Sequence, residues 1–122
     1  MPEPTVTQGV AAYRARPVRD GFAVFRLANV QRFGEAFHGA HEWPEPDWAT
    51  AAAGELREAS NLLTKRRCGG AIPIVLVARE LADAVTHIDL LAASMGIDLG
   101  AAMIEKFNLV SERVGSRVRF TV

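Results

Sequence analysis

Two short patterns in this 122-residue chain have the residue types and spacing to do chemistry. Glu55-Leu-Arg-Glu58 and Glu80-Leu-Ala-Asp83 each set two carboxylates three residues apart. On a helix that spacing puts both on one face, with Cβ atoms about 5–6 Å apart. Carboxylates this close repel each other unless something positive lies between them. One such pair on each of two facing helices makes a cage of oxygens, the ligand set preferred by hard cations such as Mg²⁺ or Mn²⁺. Fourteen acids in 122 positions also produce pairs at this spacing by chance, and Glu42 with Glu45 is a third. The setting of the pairs has to distinguish them.

That setting is apolar. From Ala71 to Met95 the formally charged residues are Arg79, Glu80, Asp83 and Asp89. A helix apolar around most of its circumference is expected to be largely buried. An unpaired carboxylate there costs several kcal/mol even after relaxation. Glu80, Asp83 and His87 thus form a polar stripe that needs partners. Arg79 projects roughly 100° around the helix from Glu80, so the partner is either a bound cation or basic groups from another helix. Lys65, Arg66 and Arg67 are the nearest basic cluster in sequence.

The elements that must hold these groups read as helices. The first is predicted from about Phe22 to His38, capped by Asp20, with Leu27, Val30, Phe33 and Phe37 as its apolar stripe. Two prolines mark residues 40–47 as a loop. Asp47 is predicted to cap a second helix, Trp48 to about Arg67, broken by Cys68-Gly69-Gly70. A third starts near Pro73, a residue suited to a first turn, and runs to Met95. After Gly96, Asp98 caps a fourth that ends at Gly115. Residues 1–19 read as an arm or irregular lead-in, 20–115 as one helical domain, and 116–122 as a short strand or extended tail. The fold class is all-α, four main helices packed antiparallel as a bundle. Their apolar content suits a homodimer or homotetramer.

Lys plus Arg equal Asp plus Glu at 14 each, which argues against a bulk electrostatic grip on nucleic acid or an anionic membrane. Cys68 is the only cysteine, so no intrachain disulfide forms, and no Cys joins His38, His41 and His87 at zinc-ligand spacing. The start of the chain lacks the basic-then-apolar pattern of a signal peptide. The longest apolar run, Ala71 to Ala78, is well short of the ~20 residues that span a bilayer. These features lead us to expect a soluble cytoplasmic protein.

The stretch Trp48-Ala-Thr-Ala-Ala-Ala-Gly-Glu-Leu-Arg-Glu-Ala-Ser-Asn61, with Glu80-Leu-Ala-Asp83, Gly96-Ile-Asp-Leu99 and Glu105-Lys-Phe-Asn108, resembles the MazG-like all-α nucleotide pyrophosphohydrolases. Glu-x-x-Glu, a spacer and Glu-x-x-Asp are the family signature; here 21 residues separate Glu58 from Glu80. The resemblance implies Mg²⁺ ligands at Glu55, Glu58, Glu80 and Asp83, with Mn²⁺ as a substitute. It implies hydrolysis of a nucleoside triphosphate to monophosphate and pyrophosphate, in the service of nucleotide-pool house-cleaning. One of the four acids, with Glu58 favoured, would orient or deprotonate the attacking water. Lys106 matches a family lysine near the triphosphate, and Asn108 and Arg113 share its helix. The resemblance also puts His38, Trp43, Trp48, Asn61 and His87 around the base or just behind the metal ligands. Trp48, opening an apolar helix, reads first as core, and Trp43, in the proline-rich loop, is the better stacking candidate. Arg57, Arg79, His87 and Val110 depart from the usual family residues, though none removes a metal ligand. Two other readings keep the helices but not the hydrolysis: a catalytically weakened nucleotide-binding or regulatory protein, and a structural oligomerisation module held by internal salt bridges.

Overall fold

The computed structural model describes residues 11–37 and 43–122. Strand β1 (Ala12–Arg14) leads into α1 (Ala15–Ala36), followed by α2 (Glu45–Arg67), α3 (Ile74–Ser94), α4 (Leu99–Val114) and β2 (Arg119–Thr121). The fold is all-α apart from that pair of three-residue strands. Among the described residues no single helix is long and apolar enough to cross a membrane.

Two helix starts differ from the sequence reading. The first helix begins at Ala15 rather than near Phe22, because Pro17 falls in a first turn whose N–H groups have no intrahelical partner to lose. Asp20 is therefore inside the helix and pairs with Arg16 one turn earlier, at 3.4 Å on the exposed surface. The second begins at Glu45, with Pro46 again in a first turn and no side-chain cap. Asp47 contributes there through its charge, which complements the helix dipole. The expected break and cap hold: Gly69 takes φ +91°, and a Cβ at Gly70 would sit 2.8 Å from the Lys65 carbonyl oxygen. The Asp98 carboxylate accepts from Ala101 N at 2.9 Å.

The chain divides into two compact units, one of Arg26–Ile97 and the other of the segments before and after it. In the Arg26–Ile97 unit, α2 and α3 pack through small residues. Ala52 and Ala59 lie one heptad apart on α2, Val77 and Ala84 one heptad apart on α3, and all four are buried. Side chains this small let the two backbones approach closely, which is what allows the acids beside them to meet.

The polar residues decide which face of α1 turns inward. Arg26, Asn29 and Phe33 form its covered stripe, while Leu27 is 74 % exposed and Val30 45 %. The predicted apolar stripe thus keeps Phe33 but not Leu27 or Val30. Asp89 explains the switch: it is fully buried on α3 and takes Arg26 Nε at 2.8 Å and Asn29 Nδ2 at 3.0 Å. A carboxylate buried without partners costs several kcal/mol, so the face of α1 that carries the guanidinium and the amide is the one turned toward Asp89. Helix α3 is also less covered than its composition suggested. Ile74, Leu81, Val85 and Ile88 recur on one stripe and stand exposed, because α2 covers only the neighbouring face.

In the other unit, β1 and β2 pair in parallel, Ala12 against Arg119 through Arg14 against Thr121. Asn108 on α4 clamps the second strand. Its Nδ2 donates to the Phe120 carbonyl at 2.9 Å and its Oδ1 accepts from Phe120 N at 2.8 Å. The Phe120 ring meets Phe107 edge-on at 5.0 Å. Asn108→Ala removes both hydrogen bonds and is expected to lower stability by about 1–3 kcal/mol, read by urea denaturation.

Candidate functional site

The four acids converge. Glu55 from α2 and Glu80 and Asp83 from α3 bring carboxylate oxygens within 4.8 Å of one another. Glu58, one turn beyond Glu55, stands beside Glu80, whose carboxyl can hydrogen-bond the protonated form of Glu58. That interaction, the negative charge of Glu80, partial loss of solvent and the charge of Asp83 all push the Glu58 carboxyl above its ordinary value of 4.5. The raised value is the electrostatic signature of carboxylates crowded without a counter-charge. Among the described residues the ion pairs are Arg16–Asp20 and Arg26–Asp89, so Lys65, Arg66 and Arg67 do not neutralise the cluster. The salt-bridge network weighed from the sequence does not form. Oxygen donors from two rigid helices, with an unmet need for positive charge, are the donor set that suits Mg²⁺ or Mn²⁺.

Because the folded chain holds the Glu58 proton more tightly than the unfolded chain does, the stability this carboxyl contributes is fully present below the ordinary carboxylate range. It is lost as pH rises through the raised value. Side-chain carbon NMR titration of the metal-free protein should report Glu58 above 4.5, and Glu80→Gln should bring it back toward that value. An ordinary Glu58 midpoint in the wild type would mean the acids do not meet.

Beside the acids is a cavity of about 290 Å³, lined by Asn29, Arg32, Phe33, Phe37, Trp43, Trp48, Glu55, Asp83, Thr86, His87 and Leu90. Its wall is an aromatic cluster. Trp43 and Trp48 have ring centroids 4.8 Å apart, Phe33 meets Trp48 edge-on at 5.2 Å, and His87 lies 6.4 Å from Trp48. Trp48 is 5 % exposed, so it is core and cavity wall together; Trp43, 44 % exposed, has the freer ring. Glu55 and Asp83 belong to both the acid cluster and the cavity lining.

Of the other residues picked out from the sequence, Asn61 is exposed on α2 and belongs to neither the acid cluster nor the cavity lining. Lys106 and Arg113 are exposed on α4, in the other compact unit, where Asn108 holds the terminal strand. His38 lies outside the described residues. Sequence reasoning missed Asn29, Arg32, Thr86 and Leu90 in the lining, and the Arg26–Asp89 pair behind it. The signal for two of them was available: Asp89 is an acid on an otherwise apolar stretch of α3, and Asn29 falls one turn after Arg26 on α1.

Comparison with protein-family models, curated proteins and solved structures finds no match.

Proposed function

We propose that the chain is a divalent-cation-dependent nucleoside triphosphate pyrophosphohydrolase, converting a (d)NTP to the monophosphate and pyrophosphate. One observation carries the reading: Glu55 and Asp83 stand at once in an unneutralised carboxylate cluster and in the wall of an aromatic cavity. A ligand filling both needs a flat, apolar portion joined to a polyanion that brings its own cation, which describes a nucleotide. The resemblance of the acid motifs to MazG-like enzymes supports the same reaction.

Glu55, Glu58, Glu80 and Asp83 would hold Mg²⁺, which when bound neutralises the phosphates and polarises the phosphorus under attack. The aromatic wall binds the base and excludes water from one end of the substrate. Glu58 orients a water molecule and takes its proton as the oxygen attacks the α-phosphorus. The bond from that phosphorus to the bridging oxygen breaks, and pyrophosphate leaves with the electron pair. No covalent intermediate is needed, so the reaction calls on no Ser or Cys nucleophile. Positioning and charge neutralisation carry the rate.

The test is pyrophosphate and orthophosphate release from a panel of NTPs and dNTPs, with Mg²⁺, with Mn²⁺ and with EDTA, for wild type and Glu58→Ala. Metal-dependent pyrophosphate that disappears in the variant supports the reading. Silence across the panel removes it and leaves a nucleotide-binding or structural bundle.

A homodimer or homotetramer belongs to the same proposal, supported by the exposed apolar stripe Ile74, Leu81, Val85, Ile88 on α3 and by Leu56 and Leu63 on α2. Light scattering at micromolar concentration should give twice the chain mass or more, and Val85→Glu with Ile88→Glu should reduce it to one.

A further inference from the structure

The counter-charge at the cavity follows from how α1 lies along α3. Arg26 reaches Asp89 at 2.8 Å, and Asn29, one turn further along α1, donates to the Thr86 carbonyl at 3.1 Å. A step of three residues forward on α1 is thus matched by a step of three back on α3, the register of antiparallel neighbours. The next step brings Arg32 to the level of Asp83, and both residues line the cavity. Arg32 is the one lysine or arginine among the lining residues, and Glu55 and Asp83 are the acids there. Arg32 nevertheless pairs with neither, since among the described residues the ion pairs are Arg16–Asp20 and Arg26–Asp89. The arginines that hydrogen-bond within the described residues are Arg16, Arg26 and Arg119, so the Arg32 guanidinium, which is exposed, has its donors uncommitted. That group stays charged at every working pH and carries five N–H donors. At the level of a carboxylate it does not neutralise, it is placed for an anion that enters between them.

We infer that Arg32 grips the α-phosphate of the bound nucleotide, the phosphate next to the sugar; the inference rests on the reading that cavity and acid cluster together hold a nucleotide. Which phosphate it meets follows from which acids share its cavity. Glu55 and Asp83 belong to both regions, whereas Glu80 belongs to the acid cluster and not to the lining. Arg32 is therefore at the junction of base and phosphates, not at the far side of the cluster. The α-phosphate is the one that a single sugar separates from the base. Carboxylate, cation, phosphate and guanidinium then alternate in sign across the site, so that no two like charges adjoin. A guanidinium can bond two non-bridging oxygens of one phosphate as a fork, with hydrogen bonds shorter and stronger than neutral ones. Those oxygens stay on the phosphorus as the water oxygen bonds to it and the bridging oxygen departs. The same grip thus serves the substrate and the monophosphate product alike.

The experiment measures equilibrium binding, with Mg²⁺, of the common deoxynucleosides, their 5′-monophosphates and the non-hydrolysable α,β-methylene analogues of their triphosphates. Wild type, Arg32→Gln and Arg32→Lys are compared by titration calorimetry, and hydrolysis of the parent triphosphates is measured in parallel. Arg32→Gln should weaken monophosphates and triphosphate analogues by the same factor, about tenfold or more, and leave the nucleosides unchanged. Arg32→Lys, which keeps the charge but not the fork, should recover part of that loss. Because Arg32 is exposed, both variants should unfold at the wild-type urea midpoint. Unchanged monophosphate affinity in Arg32→Gln overturns the inference even if the wild type hydrolyses every triphosphate. A loss confined to the triphosphate analogues also overturns it, since that puts Arg32 on the outer phosphates. So does an equal loss for the nucleosides, which reports a damaged cavity. A loss shared by monophosphates and analogues, with no hydrolysis by the wild type, upholds it and removes the hydrolase reading instead. No binding of any probe by the wild type overturns both.

Discussion

Glu80→Gln should abolish most pyrophosphate release, lowering kcat by about 10²–10³-fold, while making the metal-free protein more heat-stable. The two effects have one cause. Glu80 is common to both acid contacts: its oxygen lies within 4.8 Å of those of Glu55 and Asp83, and it is the neighbour that does most to raise the Glu58 carboxyl. Removing its charge relieves the crowding that burdens the metal-free fold. The same change takes one ligand charge from the site that must neutralise a triphosphate. Mg²⁺ at 100 times its dissociation constant should stabilise the wild type by about 2.7 kcal/mol, and the variant by much less. Differential scanning calorimetry with and without Mg²⁺, beside the rate assay, reads both. A variant that loses activity and is also less stable without metal would point to a structural role for Glu80 and away from the cage.

Arg26→Met should be the most damaging change outside the acid cluster, lowering stability by about 3–5 kcal/mol. Arg26 Nε bonds Asp89 Oδ1 at 2.8 Å, and the Asp89 side chain is 1 % exposed against 23 % for Arg26. Methionine keeps much of the apolar stem but strands a carboxylate in the interior. Domains commonly have only 5–15 kcal/mol in total, so the variant should unfold at markedly lower urea. Adding Asp89→Asn should recover more than half of the loss, because a neutral amide can still accept from Asn29 without an ion to compensate. Failure of that rescue would show that Arg26 acts through its own packing rather than through the buried charge.

The acid motifs were legible because helical spacing alone dictates that residues three apart share a face. Glu55 with Glu58 and Glu80 with Asp83 needed only two helices to become two pairs. The helix breaks at Gly69, Gly96 and Gly115 were legible for a similar reason, as each takes positive φ where a side chain would be strained. The start of α1 was harder to place, since a proline signals a first turn and a helix end with equal force. The inward face of α1 was misjudged because periodicity counts apolar residues. Arg26 and Asn29 point inward only when Asp89, some 60 positions away, is there to receive them.

By itself the sequence determined four helices, where most of them stop, and two acid pairs each confined to one helical face; these follow from backbone geometry over a few residues. Only the tertiary structure decided that the pairs meet with no ion pair to a basic side chain among the described residues, and that aromatic rings from α1, α2 and the segment before it close a cavity against Glu55 and Asp83. Those properties depend on which helix faces which, and that is fixed by contacts between residues far apart in the chain.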